Sequence, residues 1–160
     1  MVRKSQVSLR SVGGETPPPL LGALLRIPLD VIYRRMIDAL HERGFDDLNV
    51  AHLAVLRYPG PDGKRPVELA TEANMSKQAM NYLLGQLEAL GYVERQDDPE
   101  DGRFKRVYLT ARGDATRAVI RAAVREVEAE WSRALGASDL AELRALLVRL
   151  KAAAEATRAA

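Results

Sequence analysis

The sequence predicts a mainly α-helical fold with one small β-hairpin, and three observations predict it. Gly and Pro are concentrated in a few places, leaving long tracts of good helix formers. Apolar residues within those tracts recur at steps of three and four, the spacing of one buried helical face. Between residues 90 and 110 the pattern changes to two short segments with β-branched or aromatic residues around a polar tip, the signature of a hairpin. At 160 residues the chain suits one domain with a real core and is short for two.

Taken in order, residues 1–19 hold Arg3, Lys4 and Arg10, then Gly13-Gly14 and Pro17-Pro18-Pro19. This is expected to be a flexible N-terminal arm, either a solvated tail or a basic strap on phosphates. A helix is expected over about 20–43, with Leu25, Leu29, Ile32, Met36 and Leu40 on one stripe and Gly44 ending it. Pro28 either kinks this helix or opens its main part. A short helix from Val50 to about Tyr58 follows, capped by Asn49 and stapled by Leu48 and Leu53. Pro59-Gly60-Pro61-Asp62-Gly63 then breaks the chain.

Pro66 to Ala73 forms the next short helix, and Ser76 caps a longer one through Leu90 that Gly91 closes. The hairpin strands are Tyr92–Gln96 and Phe104–Leu109 around the loop Asp97–Arg103. From about Ala111 the chain is helical again, in two helices separated by Gly136, with Ser138 as the second cap. Ile120, Val124, Val127, Trp131 and Leu135 mark one stripe; Leu140, Leu143, Leu147 and Leu150 mark the other.

Composition narrows the function classes. There is no cysteine, which removes disulfides, thiolate metal sites and thiol redox sensing. With only His41 and His52, no metal site is expected, and the Asp97–Asp101 cluster lacks the spacing and the twelfth-position Glu of a calcium loop. No phosphate loop, dinucleotide fingerprint, nucleophile elbow or zinc-protease motif is present, so neither a catalytic residue nor a cofactor is expected. No apolar run reaches the ~18 residues of a membrane span, and the N-terminus lacks a signal peptide's apolar segment, so a cytoplasmic protein without a membrane partner is expected.

Two short helices joined by a tight turn and followed directly by a hairpin make a winged helix-turn-helix. On the second helix Met80, Leu83, Leu84, Leu87 and Leu90 face inward, leaving Lys77, Gln78, Asn81 and Tyr82 on the outer side of its first two turns. Gln and Asn pair with adenine in the major groove, and Lys reaches guanine or phosphate. At the hairpin tip, Asp101 is spaced to hold the Arg103 guanidinium in one orientation, which suits insertion into the narrow, negative minor groove. Ser76, Lys64, Arg65, Arg95, Lys105 and Arg106 complete the expected DNA contacts. The chain carries a net charge of +2 and a pI near 9.0. Residues 64–110, however, hold seven basic and eight acidic side chains, so binding there rests on placed cations rather than bulk charge.

The run from Pro66 to Ala115 resembles the MarR family of bacterial regulators. The matching pieces are Leu69-Ala70, Ser76-Lys77-Gln78, Leu87-Glu88, Gly91-Tyr92-Val93-Glu94-Arg95, Asp98-Pro99, Asp101-Gly102-Arg103, and Leu109-Thr110 followed by Gly113. The resemblance is dense over 65–114 and looser over roughly 20–155. It implies a domain over 20–155 whose DNA-binding lobe spans about 48–112, with dimerisation helices at about 20–43 and 114–155. It also implies a homodimer reading the two halves of a pseudo-palindromic operator in double-stranded DNA, as a repressor of a nearby operon. Release by a small aromatic or phenolic effector is part of that implication, with Tyr33, His52 and Tyr58 as candidate pocket residues. Tyr82 departs from the family, which often has a smaller or basic residue there. The long Leu and Val stripes of the terminal helices independently call for a partner surface. The competing expectation is a winged-helix protein–protein module whose helix touches no DNA.

Overall fold

A computed structural model describes residues 18–56, 60 and 62–159. The arm residues Arg3, Lys4 and Arg10, and the pocket candidate Tyr58, lie outside these. The elements are α1 (Leu21–His41), α2 (Val50–Leu56), α3 (Pro66–Glu72), α4 (Lys77–Ala89), β1 (Val93–Asp97), β2 (Lys105–Leu109), α5 (Ala111–Leu135) and α6 (Ala137–Ala159). None of these helices is long and apolar enough to cross a membrane.

The core lies where the ends of the apolar stripes converge. Met36 and Leu40 of α1, Leu53 and Leu56 of α2, Leu69 of α3, and Met80, Leu84 and Leu87 of α4 meet Tyr92, Val107 and Ile120 there. Burying such side chains removes ~2 kcal/mol each of unfavourable hydration, the main force orienting α4. Pro28 sits inside a single continuous α1, so of the two expected arrangements the structure adopts a proline in mid-helix. Its missing N–H and ring leave the Leu24 carbonyl without its usual donor.

Local capping follows the sequence closely. Asn49 Oδ1 accepts from the backbone N–H of Ala51 at 2.9 Å and of His52 at 3.3 Å, starting α2. Ser76 Oγ accepts from Ala79 N at 3.1 Å, starting α4. One expectation is corrected: α6 begins at Ala137, directly after Gly136 in the left-handed region (φ 95°), so Ser138 lies inside the helix and does not cap it. The glycine makes the sharp turn by itself, and no side-chain cap is needed to stop α5.

The hairpin is antiparallel, with Val93 opposite Leu109 and Asp97 opposite Lys105. Lys64 adds a third pairing, unexpected from the sequence: its N–H donates to Val107 O at 3.1 Å and its carbonyl accepts from Val107 N at 2.8 Å. The wing is thereby bonded to the segment that leads into α3.

The Leu-Thr-x-x-Gly exit has a steric cause. Thr110 caps α5 by accepting from Gly113 N at 3.1 Å, while its hydroxyl donates to Gly91 O at 2.6 Å. A Cβ on Gly113 would fall 2.0 Å from the Tyr92 carbonyl oxygen, so only glycine lets the helix start this close to the wing.

Candidate nucleic-acid interface

The outer face of α4 presents Lys77, Gln78, Asn81 and Tyr82, all exposed, with Tyr82 at 67% the most prominent apolar surface of the helix. Its inner face, Met80, Leu83, Leu84 and Leu87, is buried, so packing fixes which side is offered. Among the described residues Lys77 and Gln78 have no side-chain partner, whereas Asn81 Nδ2 donates back to Lys77 O at 3.0 Å. That leaves the Asn81 carbonyl oxygen outward and one amide proton available.

The wing tip carries the expected Asp101–Arg103 unit. Arg103 Nε and Nη2 donate to the two Asp101 oxygens at 3.0 and 2.7 Å, and Arg103 N donates to Oδ1 at 3.1 Å. This forked pairing holds the Asp101 carboxyl below the usual carboxylate range. The Arg103 side chain is nonetheless 84% exposed, a cation aimed outward on a fixed stem.

The start of the wing loop is built on Asp98, a carboxylate with only 2% exposure. It accepts from Arg65 Nε at 2.6 Å and from Glu100 N at 2.9 Å, and Arg106 Nε lies 3.1 Å away. Those partners, the Arg65 hydrogen bond first, hold its carboxyl far below the ordinary range and keep it ionised. The same bond raises the Arg65 pKa above its ordinary value. Arg65 also lies over the Phe104 ring, 4.8 Å from its centroid.

The cations expected to contact DNA are therefore not alike in their surroundings. Arg65 and Arg106 are drawn against Asp98, Arg95 lies 3.5 Å from Glu88, and Lys105 lies 2.6 Å from Asp97. Lys64 holds both oxygens of Glu72, at 2.5 and 2.7 Å. Of these seven, Arg103 is paired within the wing tip and stays 84% exposed, and Lys77 is exposed without a side-chain partner among the described residues.

Of the pocket candidates, Tyr33 is half-buried against the core. His52 is buried and bonded to Asn49 N and to Gln86. A small cavity nearby is lined instead by Leu56, Arg117, Ile120 and Arg121. A larger apolar hollow lies along α1, α5 and α6, walled by Leu25, Leu29, Trp131, Leu143 and Leu147.

Sequence reasoning missed one polar cluster altogether. Tyr92 OH donates to Asp47, and Arg112 Nη2 donates to Asp47 Oδ2 at 2.9 Å and to Tyr92 OH at 3.0 Å. Burial and the neighbouring Asp47 carboxylate push the Tyr92 hydroxyl up to about 12. The cluster ties the α1–α2 loop, the wing base and the start of α5 together; its members are scattered in sequence and carry no motif.

Comparison with known proteins agrees with this geometry. The MarR family model matches residues 46–103, from the loop before α2 to the wing tip. The crystal structure of the Mycobacterium tuberculosis MarR family protein Rv2887 in complex with salicylic acid is 32% identical. It superposes with a TM-score of 0.62 over 84% of this chain and 98% of that one. The chain belongs to the MarR family. The same M. tuberculosis protein in complex with DNA matches at 31% identity and TM-score 0.62, over 83% of this chain and 98% of that one. By sequence, the curated HTH-type transcriptional repressor Rv2887 of M. tuberculosis is 36% identical over 88 residues, which span 55% of this chain and 63% of the repressor.

Proposed function

We propose that this MarR-family chain is a homodimeric, sequence-specific transcriptional regulator that represses a nearby operon from a pseudo-palindromic operator and is released by a small aromatic effector. The observation that carries the reading is Arg103: a fully charged, outward cation held bidentately at the wing tip, beside the exposed polar face of α4. A protein–protein adaptor has no need of it. In this reading α4 enters the major groove with Gln78, Asn81 and Tyr82 toward base edges, and Arg103 enters the flanking minor groove. Ser76, Lys77, Lys64 and Lys105 take phosphates, while Arg65, Arg95 and Arg106 hold the wing at the angle it needs.

Dimerisation is supported by the apolar residues left uncovered on the terminal helices, including Leu21, Leu24 and Leu29 of α1 and Leu143, Leu146 and Leu147 of α6. Two-fold pairing would set the two α4 helices about one DNA turn (~34 Å) apart. An aromatic effector is supported by the salicylic acid complex of the M. tuberculosis relative. No catalytic step is part of this role, and its place of action is the cytoplasm.

The test is a mobility shift on fragments from the chain's own gene neighbourhood at fixed salt. One fragment should shift at nanomolar protein and be released by an aromatic carboxylate. Equal binding to all fragments would reject sequence-specific regulation.

A further inference from the structure

Beneath α4 a chain of hydrogen bonds runs from the protein interior to the exposed face. The backbone N–H of Asn49 donates to His52 Nδ1 at 3.3 Å. His52 Nε2 lies 3.3 Å from Gln86 Oε1, and Gln86 Nε2 donates to Tyr82 OH at 3.2 Å. His52 is 3% exposed and Tyr82 67%, so the chain runs from a buried side chain to an exposed one.

Its direction is fixed by its first member. A backbone N–H can only donate, so Nδ1 must be the accepting ring nitrogen and the proton of the neutral imidazole sits on Nε2. That proton meets the Gln86 carbonyl oxygen, which turns the amide nitrogen toward Tyr82. The tyrosine oxygen is thereby engaged as an acceptor, and its own O–H is not spent on Gln86 and stays available to a partner at the exposed face.

We propose that His52 and Gln86 are positioning residues that make the Tyr82 hydroxyl an outward-facing donor, so that Tyr82 reads a base edge bearing an acceptor, such as a purine N7, guanine O6 or thymine O4. This rests on the DNA-binding reading above. It assigns His52, a candidate for the effector pocket, to operator specificity instead.

The decisive variant is Gln86→Glu. A glutamate still accepts from His52 Nε2, but it has no N–H to give, so the Tyr82 hydroxyl must turn and donate to it. Wild type, Tyr82→Phe, Gln86→Glu and His52→Leu are each used to select from random duplexes. Affinities for the selected site and its single-base variants are then compared as ratios, so that a uniform loss from the added charge cancels.

Wild type should prefer an acceptor-bearing base at one position in each half-site by about fivefold. Tyr82→Phe and Gln86→Glu should both abolish that preference at the same position, with no further loss in the double variant, and His52→Leu should weaken it. If Gln86→Glu keeps the preference, or Tyr82→Phe weakens all sites equally as a phosphate contact would, the inference is overturned while the regulator reading stands. If wild type enriches no sequence, both fail together.

Discussion

Arg65 Nε donates to Asp98 Oδ2 at 2.6 Å, and this contact between residues 33 apart joins the start of α3 to the start of the wing loop. Asp98 would be costly to bury alone; two guanidinium groups and the Glu100 N–H make it the pivot on which the hairpin is held. Asp98→Asn should loosen the wing without unfolding the lobe. The expected signs are faster amide exchange over residues 98–104 and an operator affinity about tenfold lower at fixed salt. Unchanged exchange would remove Asp98 from this role.

The same carboxylate sets a pH dependence. Its pKa in the folded chain lies below its unfolded value, so the stabilisation it gives is complete above the ordinary aspartate range, near 3.9. It is lost as pH falls below that range toward the folded value. Denaturant unfolding between pH 6 and 3 should therefore show a shallower loss of stability in Asp98→Asn than in wild type.

Arg103→Ala removes the outward guanidinium and leaves the core untouched. Operator affinity should fall by about 1–3 kcal/mol, roughly 5- to 150-fold, with the thermal midpoint and oligomeric state unchanged. Arg103→Lys should rescue little, because a single ammonium cannot make the forked pairing with Asp101. A salt-controlled mobility shift measures both.

Gly113→Ala places a methyl group where the Tyr92 carbonyl oxygen already sits. Relieving that overlap means moving α5 away from the wing base, and a loss of ~3 kcal/mol is expected by urea unfolding. Tyr92→Phe should cost ~1 kcal/mol through the lost Asp47 and Arg112 bonds. In wild type, absorbance titration should find one tyrosine ionising only near pH 12. Because that pKa is raised, its contribution is present below about pH 10 and disappears as pH rises through 12.

Leu147→Glu puts a charge into the apolar hollow beside Leu143 and Trp131. Sedimentation should report a monomer, Trp131 emission should move to the red, and operator binding should weaken steeply because two half-sites are no longer held together. A variant that stays dimeric would move the partner surface elsewhere.

Much of this was legible in the chain itself. The helices, the caps at Asn49 and Ser76, the inward face of α4 and the Asp101–Arg103 fork all depend on residues within a few positions of each other. Their geometry is set by the backbone period. What sequence could not rank was the other cations: Arg65, Arg106, Lys64 and Lys105 look equivalent until packing brings Asp98 to the first two. Nor could it place His52, which stands 34 residues from Gln86.

The winged helix-turn-helix and its wing-tip arginine were determined by the sequence alone, because short-range spacing fixes short-range contacts. Tertiary structure decided the rest: which charges brace the wing, how Tyr92 binds Asp47 across 45 residues, and how His52 meets Gln86 across 34. Those pairings arise only when helices distant in sequence are pressed together. Each buried polar group must then take whichever partner the packing supplies.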